Sequence, residues 1–329
     1  MEKNKVSKSV SEMFSTARIY CLISIIAAHM YFPNSFAEVF LGKLGTLGVV
    51  LLLIISGYFY RPKKFDSVCF LLKKKFVSIG IPWLFLGSVV WLYNVIASEQ
   101  FRSVTGYFNW IIGNGTYLYY MPILLICFLM FYKSHNVTLI SALVLNAAFI
   151  VLTAFGLMNK VVSFFGINHY LNPFNWIGFF ALGMILQQID AEKLFNFFRK
   201  FRFLNVVLFV IAFVILLIFT NVKSDYFSLV AIPYELLGSL AILSLSTFNL
   251  TKYKIFKKLS AYTFCIYLIH MIFIGLLDSF LSMHILLMYF SPLVIMCFAF
   301  LVISVVEWFA NKMKFRRIFC LAFGIRDIK

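Results

Sequence analysis

Arg18-Ile-Tyr-Cys-Leu-Ile-Ser-Ile-Ile-Ala-Ala-His29 is apolar except at its two ends. Eleven positions along a helix are about three turns, or ~16 Å of rise, and return to nearly the same face. Arg18, Leu22, Ile25 and His29 therefore share one stripe. An arginine in the first turns of a membrane helix can lift its head to the interface. An imidazole further in needs a partner or a water-filled cavity. A structural packing bond would meet that need, and so would a functional site; the pairing of Arg18 with His29 on one face favours the second.

Runs of the same kind recur along all 329 residues, which are 63% hydrophobic and 12% charged, with a mean hydropathy of +0.95. Soluble domains carry about a quarter charged residues. The sequence predicts an all-α polytopic transmembrane helical bundle of about ten spans, at 15–34, 43–60, 76–96, 116–132, 137–156, 173–189, 204–221, 229–248, 259–281 and 285–309. A polar tail (1–14) precedes this domain (15–309) and a basic tail (310–329) follows it.

The net charge of +17 has a topological reading. Apart from Lys43, Arg102, Lys160 and Lys223, every Lys and Arg falls on one side of the ten spans, which predicts both termini cytoplasmic. A nucleic-acid role is excluded by that distribution. The six cysteines form no Cys-x-x-Cys pair, so neither a disulfide framework nor a metal site is expected. The first apolar run lacks a small-residue cleavage signal and reads as a retained helix. With no HExxH, no Gly-x-Ser-x-Gly and no phosphate-cradling glycine loop, hydrolase, metalloprotease and ATPase readings have no support.

Several polar groups stand out against this background. Ser56 and Gly57, followed by Tyr58, close the second span and either admit a neighbouring helix or loosen the inner end. Lys73, Lys74 and Lys75 precede the third span, where they anchor against anionic headgroups or grip a polyanionic ligand. Pro82 predicts a kink. The segment 97–115 reads as an aromatic outer loop, and Tyr119 and Tyr120 open the fourth span. Glu235, two turns inside the eighth span, is expected to line an interior cavity. Tyr267 and His270 share a side of the ninth span, in a structural or catalytic contact. Glu307 is expected to snorkel, and the sequons at Asn136 and Asn249 lie on the cytoplasmic side.

From Arg18 to about Ile272 the ordered set resembles the acyltransferase-3 family of bacterial membrane O-acyltransferases, with Arg-x10-His at Arg18–His29 as its most specific element. Gly48-Val-Val-Leu-Leu-Leu-Ile-Ile-Ser56-Gly57-Tyr58 is similar to the family's Gly-Val-x-Leu-Phe-Phe-x-x-Ser-Gly-Phe/Tyr stretch. Lys73-Lys74-Lys75 before Ile81-Pro82 resembles its basic cluster and Ile-Pro. Tyr117-Leu-Tyr119-Tyr120-Met-Pro122 resembles a His-Leu-Trp-Phe/Tyr-Leu element, and Tyr267-Leu-Ile-His270 the closing Tyr-Leu-x-His. Tyr117 and Tyr119 depart from the family's frequent His and Trp, and Ser78 stands where a further Arg is common.

The resemblance implies an inner-membrane enzyme that moves an acyl group, usually acetyl from cytoplasmic acetyl-CoA, to an extracytoplasmic glycan or lipid-linked sugar. No bound cofactor is implied; acetyl-CoA is the donor substrate. His29 is then the expected base, or a transient acyl carrier, with Arg18, Lys73, Lys74 and Lys75 on the donor's phosphates. Ser56, Tyr58, Tyr119, Tyr120, Glu235, Tyr267 and His270 are expected around the cavity. Succinyl transfer is the alternative within enzymes. Outside them stands a polysaccharide exporter or flippase, which predicts inverted repeats and interrupted half-helices; the sequence shows neither.

Overall fold

The computed structural model describes residues 7–32, 36–98, 102–219 and 226–325. Lys3, Lys5, Pro33, Asn34, Lys223, Arg326 and Lys329, and the side chains of Lys63 and Lys160, lie outside the described residues. Among those described there are sixteen α-helices, linked in places by short 3₁₀ turns, and no strand.

α1 (Lys8–Ala28) begins where the Ser7 side chain accepts the Val10 N–H, meeting one of the donors a helix start leaves open. The polar tail expected through residue 14 is thus helical from Lys8, with Met13 and Phe14 fully buried. The helix also ends earlier than predicted. His29 is its C-cap, with its N–H donating to the Ile26 carbonyl at 3.0 Å.

α2 (Phe36–Gly45) and α3 (Leu47–Phe59) form one span interrupted only at Thr46. α4 (Val68–Lys75) continues through a π turn at 76–80 into α5 (Ile81–Ser98). Pro82 offers no N–H to the carbonyl four residues back, and the widened turn absorbs that loss. Val68–Ala97 is long and apolar enough to cross as a single span, and Lys73, Lys74 and Lys75 sit in the last turn of α4 rather than in a loop.

The predicted outer loop 97–115 holds a helix, α6 (Val104–Ile112), closed by Gly113 in the left-handed region. Trp110 Nε1 donates to the Gly87 carbonyl at 2.9 Å and Trp83 Nε1 to the Ile111 carbonyl at 3.0 Å, tying α6 to α5. A 54° bend separates α6 from Tyr117–Met130, which includes α7 (Tyr120–Met130). Then follow α8 (Asn136–Ala154), α9 (Asn159–Phe165) and the short α10 (Ile177–Leu186). α11 (Ala191–Lys200), capped by Asp190, meets α12 (Arg202–Phe219) at a second bend of 60°. α13 (Ala231–Ser246), α14 (Lys254–Leu281), α15 (Ile285–Lys312) and α16 (Arg316–Phe323) complete the chain.

Among the described residues seven helices are long and apolar enough to cross a membrane, or nine when each bent pair counts as one. The remaining predicted span corresponds to α10, whose ten residues rise only ~15 Å, about half a bilayer core. It survives because protein encloses it: Ile177, Phe180 and Ala181 are buried, and α10 meets α3 at glycines. A Cβ on Gly57 would stand 2.0 Å from the Phe180 carbonyl oxygen, and one on Gly183 2.0 Å from that of Ile54. Gly57 thus serves close packing, not a loosened helix end. α1 and the α2–α3 span occupy the centre (67% and 72% of their apolar windows buried), whereas α8 and α15 (22% and 28%) present theirs outward.

Candidate active site

Arg18, Leu22 and Ile25 on one face of α1 line a cavity of about 750 Å³, within the ordinary range of small-molecule sites. Ser56 faces it from α3, Tyr120 from α7, and Phe264 and Tyr267 from α14. Ser56 Oγ and Tyr120 Oη lie 3.3 Å apart, a polar pair on the wall.

Cations gather away from the His29 end. The Arg18 guanidinium lies 5.2 Å from the Phe59 ring centre. Lys75 Nζ is 3.4 Å from that of Phe128 and 5.7 Å from that of Tyr60, so ring faces hold the ammonium at the wall. Arg317, from α16, lines the same cavity with Ser78 of the π turn.

The other end closes in rings. Tyr267 lines the cavity, and its hydroxyl donates to the Tyr117 carbonyl at 2.6 Å. Tyr117 returns the bond through its own hydroxyl to the Leu268 carbonyl. His270 lies in contact with both tyrosines, its ring centre 5.0 Å from that of Tyr117. Its Nδ1 is 2.6 Å from the Tyr267 carbonyl oxygen, which can only accept, so Nδ1 is the donor in that bond. Nε2 has no hydrogen-bond partner among the described residues. The half-buried His29 ring lies 5.2 Å from His270 and 5.8 Å from Tyr117, centre to centre. His29 itself is not on the cavity wall; Tyr267 is the side chain that belongs to both the wall and the ring cluster.

The other residues singled out in the sequence lie elsewhere. Lys73 and Lys74 are exposed and off the cavity, with Lys74 Nζ 4.4 Å over the Phe70 ring. Three consecutive helical residues point in three directions, and only Lys75 turns inward. Tyr58 packs on Phe14 at 4.5 Å, its carbonyl accepting from Arg61 and Gln187. Tyr119 stacks between Tyr170 and Trp176 at 5.1 and 5.6 Å. Glu235 is fully buried on α13, away from the cavity expected for it. Glu307 does not snorkel alone: Lys258 Nζ holds it at 2.8 Å and the Tyr262 hydroxyl donates to it. Asn249 donates to Glu12 at 2.6 Å, and Asn136 accepts from Gln188 at 3.0 Å.

Two contributors were not foreseen. Tyr117 stood out only as a departure from a motif, yet it holds both His270 and Tyr267. The basic tail is a wall: α16 buries Phe319, which stacks on Phe323 at 4.3 Å, and Gly324 packs against Phe264 and Pro82. The i, i+4 spacing of those phenylalanines is a helical signal legible in the sequence.

The family model described as an acyltransferase domain matches residues 14–308. Comparison with curated proteins and with solved structures gave no match. The chain belongs to the acyltransferase-3 family.

Proposed function

We propose that this membrane acyltransferase moves an acetyl group from acetyl-CoA to a hydroxyl of an extracytoplasmic glycan or lipid-linked sugar. Its setting is a bacterial inner membrane, with the basic end of the bundle and both termini cytoplasmic. The observation that carries this reading is the cavity itself. It has cations at one end and, at the other, a tyrosine in contact with a histidine whose Nδ1 donates to its carbonyl.

A sugar hydroxyl attacks a thioester only as its proton leaves, and an imidazole titrates in the range suited to taking it. In this mechanism His29 accepts the hydroxyl proton as the oxygen bonds to the thioester carbonyl carbon. The tetrahedral oxyanion collapses, the carbon–sulfur bond breaks, and the CoA thiolate leaves with the proton from the His29 imidazolium. His270, held by the Tyr267 carbonyl, orients the His29 ring. Arg18, Lys75 and Arg317 hold the donor's anionic portion, and Ser56 with Tyr120 offers hydroxyls along the path of the pantetheine arm.

The bends at α6–α7 and α11–α12 are the kind of interruption an exporter would show. The first of them places Tyr120 on the cavity wall and Tyr117 against Tyr267 behind it, and the family match weighs for transfer over export. The test is movement of radiolabel from acetyl-CoA to glycan in membranes carrying the protein, with surface glycans weighed by mass spectrometry for an acetyl-sized difference. Label should reach glycan in the wild type and not in His29→Ala at equal protein level. Transfer by that variant at the wild-type rate would remove His29 from the chemistry, and absence of labelled glycan in the wild type would refute acetyl transfer.

A further inference from the structure

A second cavity of about 270 Å³ lies beside the first, and the mechanism above makes no use of it. Lys254, Lys257 and Lys258, at i, i+3 and i+4 on one face of α14, line it together with Arg316 from the start of α16. Among the described residues its lining holds a single carboxylate, Glu307, already engaged by Lys258 and Tyr262.

We propose that this cavity seats the phosphate monoester at the nucleotide end of the donor, an inference that rests on the reading of the donor as a coenzyme A ester. The first argument is electrostatic. A helix start carries a partial positive charge, and basic side chains there oppose it. α14 and α16 both begin with basic residues and have no acidic residue in the first turn. The lining sets four basic side chains against one carboxylate, Glu307, which interacts with Lys258 and Arg316, an excess of positive charge that suits a multiply charged oxyanion.

The second argument is placement. Cys320 and Ile325 line both cavities, so one thin wall, α16 and the residues just after it, divides them. Arg316 faces the small cavity and its neighbour Arg317 the large one. A ligand with its phosphate monoester beside Lys254 and Lys257 would lay its diphosphate by Arg317, Lys75 and Arg18 and run its thioester arm toward Tyr120 and Tyr267.

The test compares CoA with dephospho-CoA, which lacks only that phosphate, by calorimetry on the full chain in neutral detergent. Wild type should bind CoA at least about tenfold more tightly, a difference of about 1.4 kcal/mol. Lys254→Gln/Lys257→Gln, and separately Arg316→Gln, should lose that preference while binding dephospho-CoA as the wild type does. Variants that keep the whole preference overturn the assignment and leave the donor reading standing. A wild type that binds neither compound overturns both. An anionic phospholipid could supply the same phosphate chemistry. Native mass spectrometry showing a phospholipid held by wild type and lost from the double variant, with the CoA preference unmoved, assigns the cavity to a headgroup instead and overturns the proposal.

Discussion

Behind the wall at one end of the large cavity, Tyr117, His270 and His29 stand ring against ring with the wall residue Tyr267, neighbouring centres 5.0 to 6.0 Å apart, with Tyr267 bonded to the Tyr117 backbone and His270 to that of Tyr267. At the other end Arg18, Lys75 and Arg317 stand apart on three different helices. The first end is compact and built of four packed rings. The second is spread out, cationic and assembled from pieces far apart in the chain. Under the proposed mechanism the difference is that between positioning a proton and capturing an anion: one needs close order, the other needs charge and room.

If that division is right, substitutions at the two ends separate rate from affinity. His29→Ala should lower kcat by about 10²- to 10⁴-fold, the usual contribution of a general base, with KM for the donor little changed. A variant that instead raises donor KM alone would put His29 on the binding side. Arg18→Gln and Lys75→Gln should each raise donor KM by about tenfold and leave kcat within about twofold, measured at varied acetyl-CoA in membrane vesicles. Tyr117→Phe removes the hydroxyl bond to the Leu268 carbonyl, which keeps its own helical bond within α14, so thermal unfolding should report a loss of about 0.5–1.5 kcal/mol. The smallest effect is expected at Lys73→Gln and Lys74→Gln, exposed and off the cavity, with donor KM moving less than about twofold. A tenfold rise there would return those lysines to the donor site.

Much of this was legible in the sequence, because membrane helices announce themselves by composition. The stripe of Arg18, Leu22 and Ile25 follows from helical periodicity alone, and it lines the cavity. Boundaries were less legible. Thr46 interrupts a span without Gly or Pro at that position, and the α11–α12 bend falls between Phe201 and Arg202, whose residue types signal nothing. The missed α16 has a different cause. Counting charges marked 310–329 as a basic tail, although Phe319 and Phe323 give it an apolar face. Glu235 shows a further limit. Depth in a helix says a carboxyl group must be accommodated, but not whether a cavity or the surrounding protein does so.

The glycine crossing of α3 and α10 has a bearing on traffic through the molecule. With backbone against backbone at Gly57 and Gly183, neither helix can slide or turn without steric collision, so Ser56 keeps its station. The chamber's bore on that flank is therefore constant. The π turn after α4 and the small helix α16 line the same chamber without that lock, since Gly324 meets side chains, Phe264 and Pro82, and not backbone.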